Sequence, residues 1–207
     1  MDLARTRTSL HGIAELLLAG PQYAASGTIR LRAHSGGIAT VADPDLRVEG
    51  TDLVGAHGRY PLRGSFAEVG AAIGITPRRL DDVYSDVAPV GVDDPIAIDP
   101  DQLTILMGAY AVGDAALRDF APALTPVLWP EHLDLAIAQD EVNYGVSPGD
   151  SLLPAPYAYV GPWKPRAGPF WNAPFGALYP LDPAHDVDAL TSRIADFFES
   201  GRSALKV

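Results

Sequence analysis

Cysteine is absent from all 207 residues of the chain. Its absence excludes disulfide bonds, thiol catalysis and metal sites with cysteine ligands. The sequence also lacks an apolar run of about 18 residues, so a membrane-spanning helix is not expected. The first residues contain no basic region followed by a continuous apolar stretch, which argues against a signal peptide. These absences together predict a cytoplasmic protein.

Basic residues are scarce in the middle of the chain. Between Leu80 and Trp163 there are 14 acidic residues and a single basic one, Arg118, whereas the net charge of the whole chain is −11. Surfaces that bind nucleic acid or anionic membranes need clustered Lys and Arg. We therefore expect neither as a partner of this region. A cation or a polar neutral ligand fits its electrostatic field better.

Helical patterns recur at four places. Residues 3–18 carry an apolar stripe that Gly20-Pro21 should end. The segment 65–68 (Ser-Phe-Ala-Glu) has the pattern of a capping box and predicts a helix to about residue 73. A third helix is predicted over residues 100–120, and Asp186 should begin the last one. The face of this last helix that we expect to be buried consists of Val187, Leu190, Ile194 and Phe197.

Alternation of apolar and polar residues predicts the strands. It places them near residues 28–33, 38–42, 46–49, 51–54, 131–138, 141–146 and 157–161. Residues 147–183 contain nine of the nineteen prolines, which excludes long regular elements there. The predicted fold class is α+β, with a mainly antiparallel sheet, about four helices and a proline-rich aromatic loop covering the sheet. The length favours a single domain over residues 1–207, with a subdivision near residues 122–126 as the alternative.

Two of these predicted strands place polar side chains on a common surface. If residues 131–137 are extended, His132 and Asp134 point to the same face, because side chains alternate along a strand. Glu141 and Asn143 share a face of the next strand. Antiparallel pairing with these faces aligned would gather the four side chains together. A shift of one residue in the register would separate them.

Such a surface supports several functions. His132 could act as a general base oriented by a carboxylate, with Tyr157 or Tyr159 from a third strand donating hydrogen bonds to a substrate. His132, Asp134 and Glu141 could instead bind a divalent metal ion through one imidazole and two carboxylates. The third alternative is recognition of a ligand without chemistry. A solvated strand face with ordinary cross-strand pairs would produce the same pattern.

An aromatic segment rich in proline follows these strands, from Trp163 to Phe175. As structure, it is a stiffened loop that covers the sheet with its rings. As function, its Trp163, Trp171 and Asn172 would contact a ligand as the wall of a site. The same rings could also bury themselves against a partner protein or against a second copy of the chain, which makes a homo-oligomer an alternative.

The sequence contains the pattern of a serine-hydrolase motif but does not meet its structural requirements. Gly145-Val146-Ser147-Pro148-Gly149 matches the nucleophile elbow, and Asp182 and His185 follow in hydrolase order. The elbow needs a helix directly after the serine, whereas a proline-rich segment follows here. The residue after the nucleophile must also donate its backbone N–H to the oxyanion, and proline has none. Residues 147–150 are therefore predicted to form a turn.

Three segments carry a resemblance to other proteins: residues 129–136 (Trp-Pro-Glu-His-Leu-Asp-Leu-Ala), 145–150 (Gly-Val-Ser-Pro-Gly-Asp) and 156–159 (Pro-Tyr-Ala-Tyr). In these segments the chain resembles a group of uncharacterised bacterial proteins. It is also loosely similar to a longer family with a domain of unknown function, which has Trp-Pro-His-His-Phe-Asp-type, Gly-Phe-x-Pro-Gly-Asp-type and Tyr-x-Tyr segments in the same order. Glu131 departs from that pattern, so no role is transferred to it. The resemblance implies no reaction.

The leading hypothesis is therefore a protein that binds a polar or cationic small molecule at the face carrying His132, Asp134, Glu141 and Asn143. The alternative is an enzyme that uses metal-assisted or general acid–base chemistry on the same residues. A protein-interaction module is the third hypothesis. The sequence has no P-loop or dinucleotide fingerprint, and it specifies no cofactor.

Overall fold

The N-terminal helical stretch consists of three consecutive segments in the computed structural model, which describes residues 2–182 and 186–206. Helix α1 (Leu3–Gly12) continues into a π-helical segment (Ile13–Ala19) and then into α2 (Gly20–Ser26). The prediction that Gly20-Pro21 ends the helix is wrong. Pro21 lies in the first turn of α2, where a missing amide costs little. The stretch ends at Gly27, which has a left-handed φ of 73°.

Three further helices follow: α3 (Phe66–Ile73), α4 (Pro100–Phe120) and α5 (Val187–Ala204). The predicted capping box at the start of α3 is confirmed. Ser65 accepts a hydrogen bond from the Glu68 amide, and the Glu68 carboxylate accepts one from the Ser65 amide at 2.8 Å. Asp186 caps α5 by accepting from two amides. Leu190, Ile194 and Phe198 are the large buried side chains of α5, whereas Val187 is 63% exposed, so the predicted stripe is correct only in part.

Ten strands are present in the described residues. They are β1 (Leu31–His34), β2 (Gly37–Thr40), β3 (Arg47–Glu49), β4 (Asp52–Gly55), β5 (Gly58–Pro61), β6 (Val127–Trp129), β7 (Asp134–Gln139), β8 (Val142–Ser147), β9 (Tyr157–Pro162) and β10 (Ala177–Pro180). The sequence pattern does not predict β5, β6 or β10, which are all short. Every strand pair with a defined register is antiparallel. The predicted α+β class with mainly antiparallel pairing is confirmed.

The chain divides into two compact units. Unit 1 comprises Met1–Met107 and Leu128–Leu133, and unit 2 comprises Gly108–Val127 and Asp134–Val207. In unit 1 the strand order is β6-β1-β2-β3-β4-β5, and in unit 2 it is β10-β9-β8-β7. The single-domain assignment made from the length stays a prediction.

Buried polar side chains of the N-terminal helical stretch organise unit 1. Gln22 is fully buried and makes four hydrogen bonds: its amide donates to the carbonyls of Thr28 and Arg30, and its oxygen accepts from the amides of Val41 and Ala42. These bonds satisfy backbone groups at the entry of β1 and the exit of β2. Because an unpaired buried amide costs about 1–3 kcal/mol, the helix specifies where these strands lie.

A long segment without helix or strand joins α3 to α4, and we call residues 74–99 the long loop. Two side chains and one backbone carbonyl of the N-terminal stretch accept hydrogen bonds from amides of this loop. Thr6 accepts from Asp99, Ser9 accepts from Ala97 at 2.9 Å, and the Leu16 carbonyl accepts from Arg78. Ordered loops of this length are uncommon and are often functional.

In unit 2, α5 contacts β9 and β10. The Tyr144 ring lies 4.7 Å from that of Phe120 and 5.9 Å from that of Phe198, measured between centroids. Glycines allow the closest contacts, since a Cβ on Gly113 would lie 2.7 Å from Val146 and one on Gly201 would lie 2.8 Å from Val160. This side of β8 and β9 therefore holds the apolar core of unit 2.

No helix among the described residues is both long enough and apolar enough to cross a membrane.

The capping box of α3 gives a direct test of the fold. Ser65→Ala removes the acceptor of the Glu68 amide, and we expect the free energy of unfolding to fall by about 1 kcal/mol. Urea denaturation followed by circular dichroism measures the change. Ser192→Ala is the matched control, because the exposed Ser192 hydroxyl only donates to the Asp188 carbonyl inside α5. Equal effects of the two substitutions would contradict the role of the box.

Candidate functional site

The register of unit 2 places polar residues on the face opposite its apolar core. Asn143 of β8 lies opposite Gly161 of β9, Gly145 opposite Tyr159, and Ser147 opposite Tyr157. Because side chains alternate along each strand, this face of β7, β8 and β9 carries Asp134, Ala136, Ala138, Asn143, Gly145, Ser147, Tyr157, Tyr159 and Gly161. The predicted placement of Asp134, Asn143, Tyr157 and Tyr159 on one face agrees with this register.

Tyr159 reaches across a whole strand to its hydrogen-bond partner. Its ring starts on β9 and passes over Gly145 of β8, and its hydroxyl donates to the carboxylate of Asp134 on β7. Gly145 has to be glycine for this path, since an added Cβ would lie 2.7 Å from the Tyr159 Cζ and hydroxyl oxygen and 2.7 Å from the Leu135 carbonyl. The missing side chain is therefore the reason that Tyr159 and Asp134 can meet.

A second tyrosine–carboxylate pair lies beside the first one. The Tyr157 hydroxyl donates to Asp150 at 2.6 Å, and the same carboxylate accepts from the amides of residues 152 and 153. Phe175 stacks on Tyr157 with 6.3 Å between ring centroids and meets Tyr159 edge-on at 6.2 Å. Phe175 is 38% exposed. We call the five residues Asp134, Tyr159, Phe175, Tyr157 and Asp150 the tyrosine row.

Burial controls the protonation of the two tyrosines. It raises the pKa of Tyr157 to about 12, and the hydrogen bond to Asp150 acts in the same direction. Burial also raises the pKa of Tyr159 well above its ordinary value, and the negative charge of Asp134 adds to the shift. Both hydroxyls are therefore protonated donors at neutral pH, and neither is suited to act as a general base.

Glu141 does not lie on a strand, and its predicted place on β8 is wrong. Asp140 and Glu141 have φ of 53° and 62° and form the two-residue turn between β7 and β8. Paired positive φ values are typical of a type I′ hairpin turn. The Glu141 carboxylate contacts Lys164 at 3.0 Å. Both side chains are exposed, so this ion pair contributes little.

Asn143 lies on the polar face but contacts the aromatic segment. Its side-chain oxygen accepts from the Trp163 indole N–H at 3.2 Å. The Trp163 amide donates to the Glu141 carbonyl at 2.9 Å, and its side chain is 63% exposed. This pair offers an exposed ring beside a polar strand face. Its ligand-binding role stays a prediction.

Asn172 and Trp171 both make structural contacts. The Asn172 amide group donates to the Leu178 carbonyl at 3.1 Å and accepts from the Leu178 amide at 2.8 Å. It therefore pairs with β10 as a neighbouring strand would. Trp171 meets Phe170 edge-on at 5.0 Å, and Phe170 stacks on Phe197 of α5. Of the aromatic segment, Phe175 is the residue whose ring packs against Tyr157 and Tyr159.

His132 lies outside any strand, and the prediction of an extended segment 131–137 is wrong at its start. Residues 130–133 form a turn that ends at Leu133, with a φ of 53°, and β7 begins only at Asp134. The alternation that joined His132 to Asp134 therefore does not apply. In unit 1, His132 lies instead beside Asp86 of the long loop, with 3.9 Å between its Nδ1 and the Asp86 carboxylate.

Asp86 and Glu131 are the neighbours of His132 that the sequence pattern misses. Ligand atoms of the three side chains lie within 4.8 Å of one another. Asp86 is distant in sequence and carries no motif, so only the tertiary structure brings it to the turn. Glu131 is the neighbour of His132 in the sequence, but in an extended segment the two side chains would point to opposite faces.

Glu15 holds the segment that carries Asp86. Although it is fully buried, its carboxylate accepts from the amides of Leu80 and Ala88 at 3.1 and 2.6 Å and from the Tyr84 hydroxyl at 3.3 Å. Burial and the charge of Glu15 raise the pKa of the Tyr84 hydroxyl far above its ordinary value. Glu15 is therefore a fully bonded structural group and Tyr84 is a donor to it.

The serine motif lies at the end of β8, with Ser147 in the strand and residues 148–150 in irregular structure rather than in the predicted turn. Ser147 is buried, and its hydroxyl accepts from the Gly149 amide at 3.1 Å. Residues 148–150 have no helical structure. His185, the histidine in hydrolase order, lies outside the described residues. The rejection of a nucleophile elbow agrees with the missing helix after Ser147.

Comparison with known proteins finds no match, whether against family models, curated proteins or solved structures. The resemblance of residues 125–180 to uncharacterised bacterial proteins therefore stays a prediction.

The crossing of Gly145 by Tyr159 leads to a first prediction for this site. Gly145→Ala should displace the tyrosine ring and lower the free energy of unfolding by about 1–3 kcal/mol, as overpacking does elsewhere. Urea denaturation measures the loss. Gly161→Ala is the matched control on the same face, because its Cβ would have no neighbour closer than 3.8 Å. A tolerated Gly145→Ala would show that the ring does not lie on this strand.

A second prediction follows from the raised pKa of Tyr157. The folded protein keeps this proton to about pH 12, whereas an unfolded tyrosine loses it near pH 10. The stabilisation is therefore complete below about pH 10 and is lost as the pH rises towards 12. Between about pH 9 and pH 11 the free energy of unfolding should fall less in Tyr157→Phe than in the wild type, by about 1 kcal/mol, since one pKa unit corresponds to about 1.4 kcal/mol.

Urea denaturation at the two pH values measures this difference. Tyr179→Phe is the control, because the Tyr179 ring packs against Phe197 of α5 and lies outside the tyrosine row. If Tyr157→Phe and the wild type lose stability in parallel, the hydroxyl is not held by burial and Asp150.

Proposed function

We propose that the protein binds a cationic small molecule at the tyrosine row of unit 2. The observation that carries the proposal is a pair of carboxylates, each bonded to a tyrosine hydroxyl, with the partly exposed ring of Phe175 packed against both tyrosine rings. Carboxylates attract a cation, and an aromatic face adds a cation–π contact. The combination suits an organic cation better than a neutral or anionic ligand.

The hydrogen bonds of the row support this proposal because they fix the carboxylates in advance. Tyr157 and Tyr159 are donors at neutral pH, so their hydroxyls hold Asp150 and Asp134 in place. A preorganised site loses less conformational entropy when a ligand binds. The two carboxylates and two tyrosines of the row belong to the stretch from Leu80 to Trp163, in which Arg118 is the single basic residue.

The proposal retains the expectations that fit this site. A cytoplasmic location agrees with the absence of cysteine, and the acidic stretch does not suit a nucleic-acid partner. The enzyme hypothesis with His132, Asp134 and Glu141 stays a prediction, as does self-association through Trp163 and Trp171.

Titration with a panel of organic cations tests the proposal. Choline, spermidine and arginine methyl ester are added to the full chain, and binding is measured by calorimetry and by the shift in the thermal unfolding midpoint. We expect at least one of them to bind saturably. Asp134→Asn and Phe175→Leu should each weaken that binding roughly fivefold, since an exposed cation–π contact or ion pair contributes up to about 1 kcal/mol.

Asp196→Asn is the matched control, since it removes one negative charge from α5, away from the tyrosine row, at an exposed position. Binding that Asp134→Asn and Asp196→Asn weaken equally would reflect the net charge of the chain and would rule out the site. The absence of saturable binding across the panel would also contradict the proposal.

A further inference from the structure

We infer that Asp86, Glu131 and His132 of unit 1 form a binding site for a divalent transition-metal ion, and we call these three residues the carboxylate–histidine trio. They lie on two segments that are far apart in the sequence: Asp86 in the long loop and the other two in the turn 130–133. Their ligand atoms lie within 4.8 Å of one another. This site shares no residue with the tyrosine row, so the inference does not depend on the proposed function.

The donor atoms of the trio fit a metal of borderline character. One imidazole nitrogen and two carboxylates suit Zn²⁺ or Mn²⁺, whereas Ca²⁺ and Mg²⁺ prefer oxygen alone. The two carboxylates together carry the charge that neutralises a divalent ion. Three protein ligands also leave at least one coordination position for water or a small molecule.

The spacing of the trio allows coordination after a small movement. Ligand atoms around one tetrahedral Zn²⁺ ion lie about 3.3–3.6 Å apart, given metal–ligand distances of about 2.0–2.2 Å. The His132 Nδ1 and the Asp86 carboxylate are 3.9 Å apart, and their side chains are 59% and 68% exposed. Exposed side chains change rotamer at little cost, so the trio can contract by the required fraction of an ångström to about 1 Å.

Neither carboxylate of the trio is neutralised by a cationic side chain. Among the described residues, no Lys or Arg lies within ion-pair distance of Asp86 or Glu131, whereas the nearby Asp81 and Asp82 each pair with an arginine. Two carboxylates without a counter-charge beside a histidine give a concentrated negative field. A cation at this point would relieve their repulsion.

The backbone that carries the trio is fixed from the protein interior. Glu15 anchors the amides of Leu80 and Ala88 on either side of Asp86. His11 donates through Nε2 to the carbonyl of Pro130, which precedes Glu131, at 2.8 Å. Because these hydrogen bonds already hold the backbone, an ion that binds the three side chains does not have to order the loop. Glu15, the buried carboxylate of the π-helical segment, therefore positions the loop that carries Asp86. This agrees with the frequent occurrence of π-helical turns at functional sites.

Metal titration of the full chain, prepared without a histidine tag and stripped with chelator, tests the inference. ZnCl₂ binding is measured by competition with a chromophoric chelator, and we expect one ion per chain. His132→Gln, Asp86→Asn and Glu131→Gln should each lower the affinity at least about tenfold, the loss that even a supporting group of a metal site produces. Because these side chains are exposed or half-buried, the metal-free variants should unfold at the wild-type temperature.

Asp82→Asn is the matched control for charge, because Asp82 lies on the same loop and pairs with Arg78. Its affinity for Zn²⁺ should equal that of the wild type. An affinity that falls equally in all four variants would indicate attraction by the acidic loop and would overturn the site. So would the absence of stoichiometric binding.

Paramagnetic broadening by MnCl₂ locates the ion independently. In nuclear magnetic resonance spectra, the amides of residues 84–88 and 131–133 should broaden first, and the His132→Gln variant should lose this effect. Broadening centred on residues 140–143 would place the ion at the β7–β8 turn instead and would contradict the trio. Neither measurement uses the organic cations or the variants of the tyrosine row, so the two proposals can fail separately.

Discussion

Unit 1 depends on the rule that a buried backbone amide must find an acceptor. The long loop between α3 and α4 has no helix or strand of its own to satisfy its amides. Polar side chains buried in the N-terminal helical stretch do so instead, with Thr6, Ser9 and Glu15 accepting from four of them. The helix therefore acts as the template for a segment that would otherwise be irregular. This explains how Glu15 can be fully buried, because its carboxylate accepts hydrogen bonds from two of these amides and from the Tyr84 hydroxyl in place of water.

Unit 2 follows a different constraint, the close approach that only glycine permits. Gly113 and Gly201 let α4 and α5 meet Val146 and Val160, while Gly145 lets an aromatic ring lie on the other face of β8. Both faces of one strand thus depend on missing side chains. Volume, rather than polarity, decides which residues can meet there.

Much of the fold follows from local sequence signals. The capping box at Ser65 and the cap at Asp186 were readable because each satisfies amides within three residues of itself. The strands β7, β8 and β9 were predicted to within a few residues because their apolar side chains alternate. The predicted end of the helix at Gly20-Pro21 is wrong because a proline inside a long helical stretch can lie in the first turn of its last segment.

The candidate sites were less accessible from sequence, for reasons that differ between residues. Tyr159 and Asp134 could be placed on one face because a register of period two relates them. Glu141 could not, because a turn of two residues with positive φ interrupts that period. Asp86 joins His132 only through the path of the long loop, which no periodic pattern encodes. The polarity of Asn172 suggests contact with a ligand, whereas in the structure its side-chain amide bonds the backbone of Leu178 at the edge of β10.

That edge contact has a consequence for how the protein behaves in concentrated solution. An edge strand with unpaired amides and carbonyls is a template on which another chain can add a strand, the first step of β-aggregation. At β10 the Asn172 side chain already bonds both the amide and the carbonyl of Leu178. Pro180, at the end of the same strand, has no amide to donate. A single side-chain amide thus acts as a terminator of sheet growth, and it does so without adding charge to an already acidic chain.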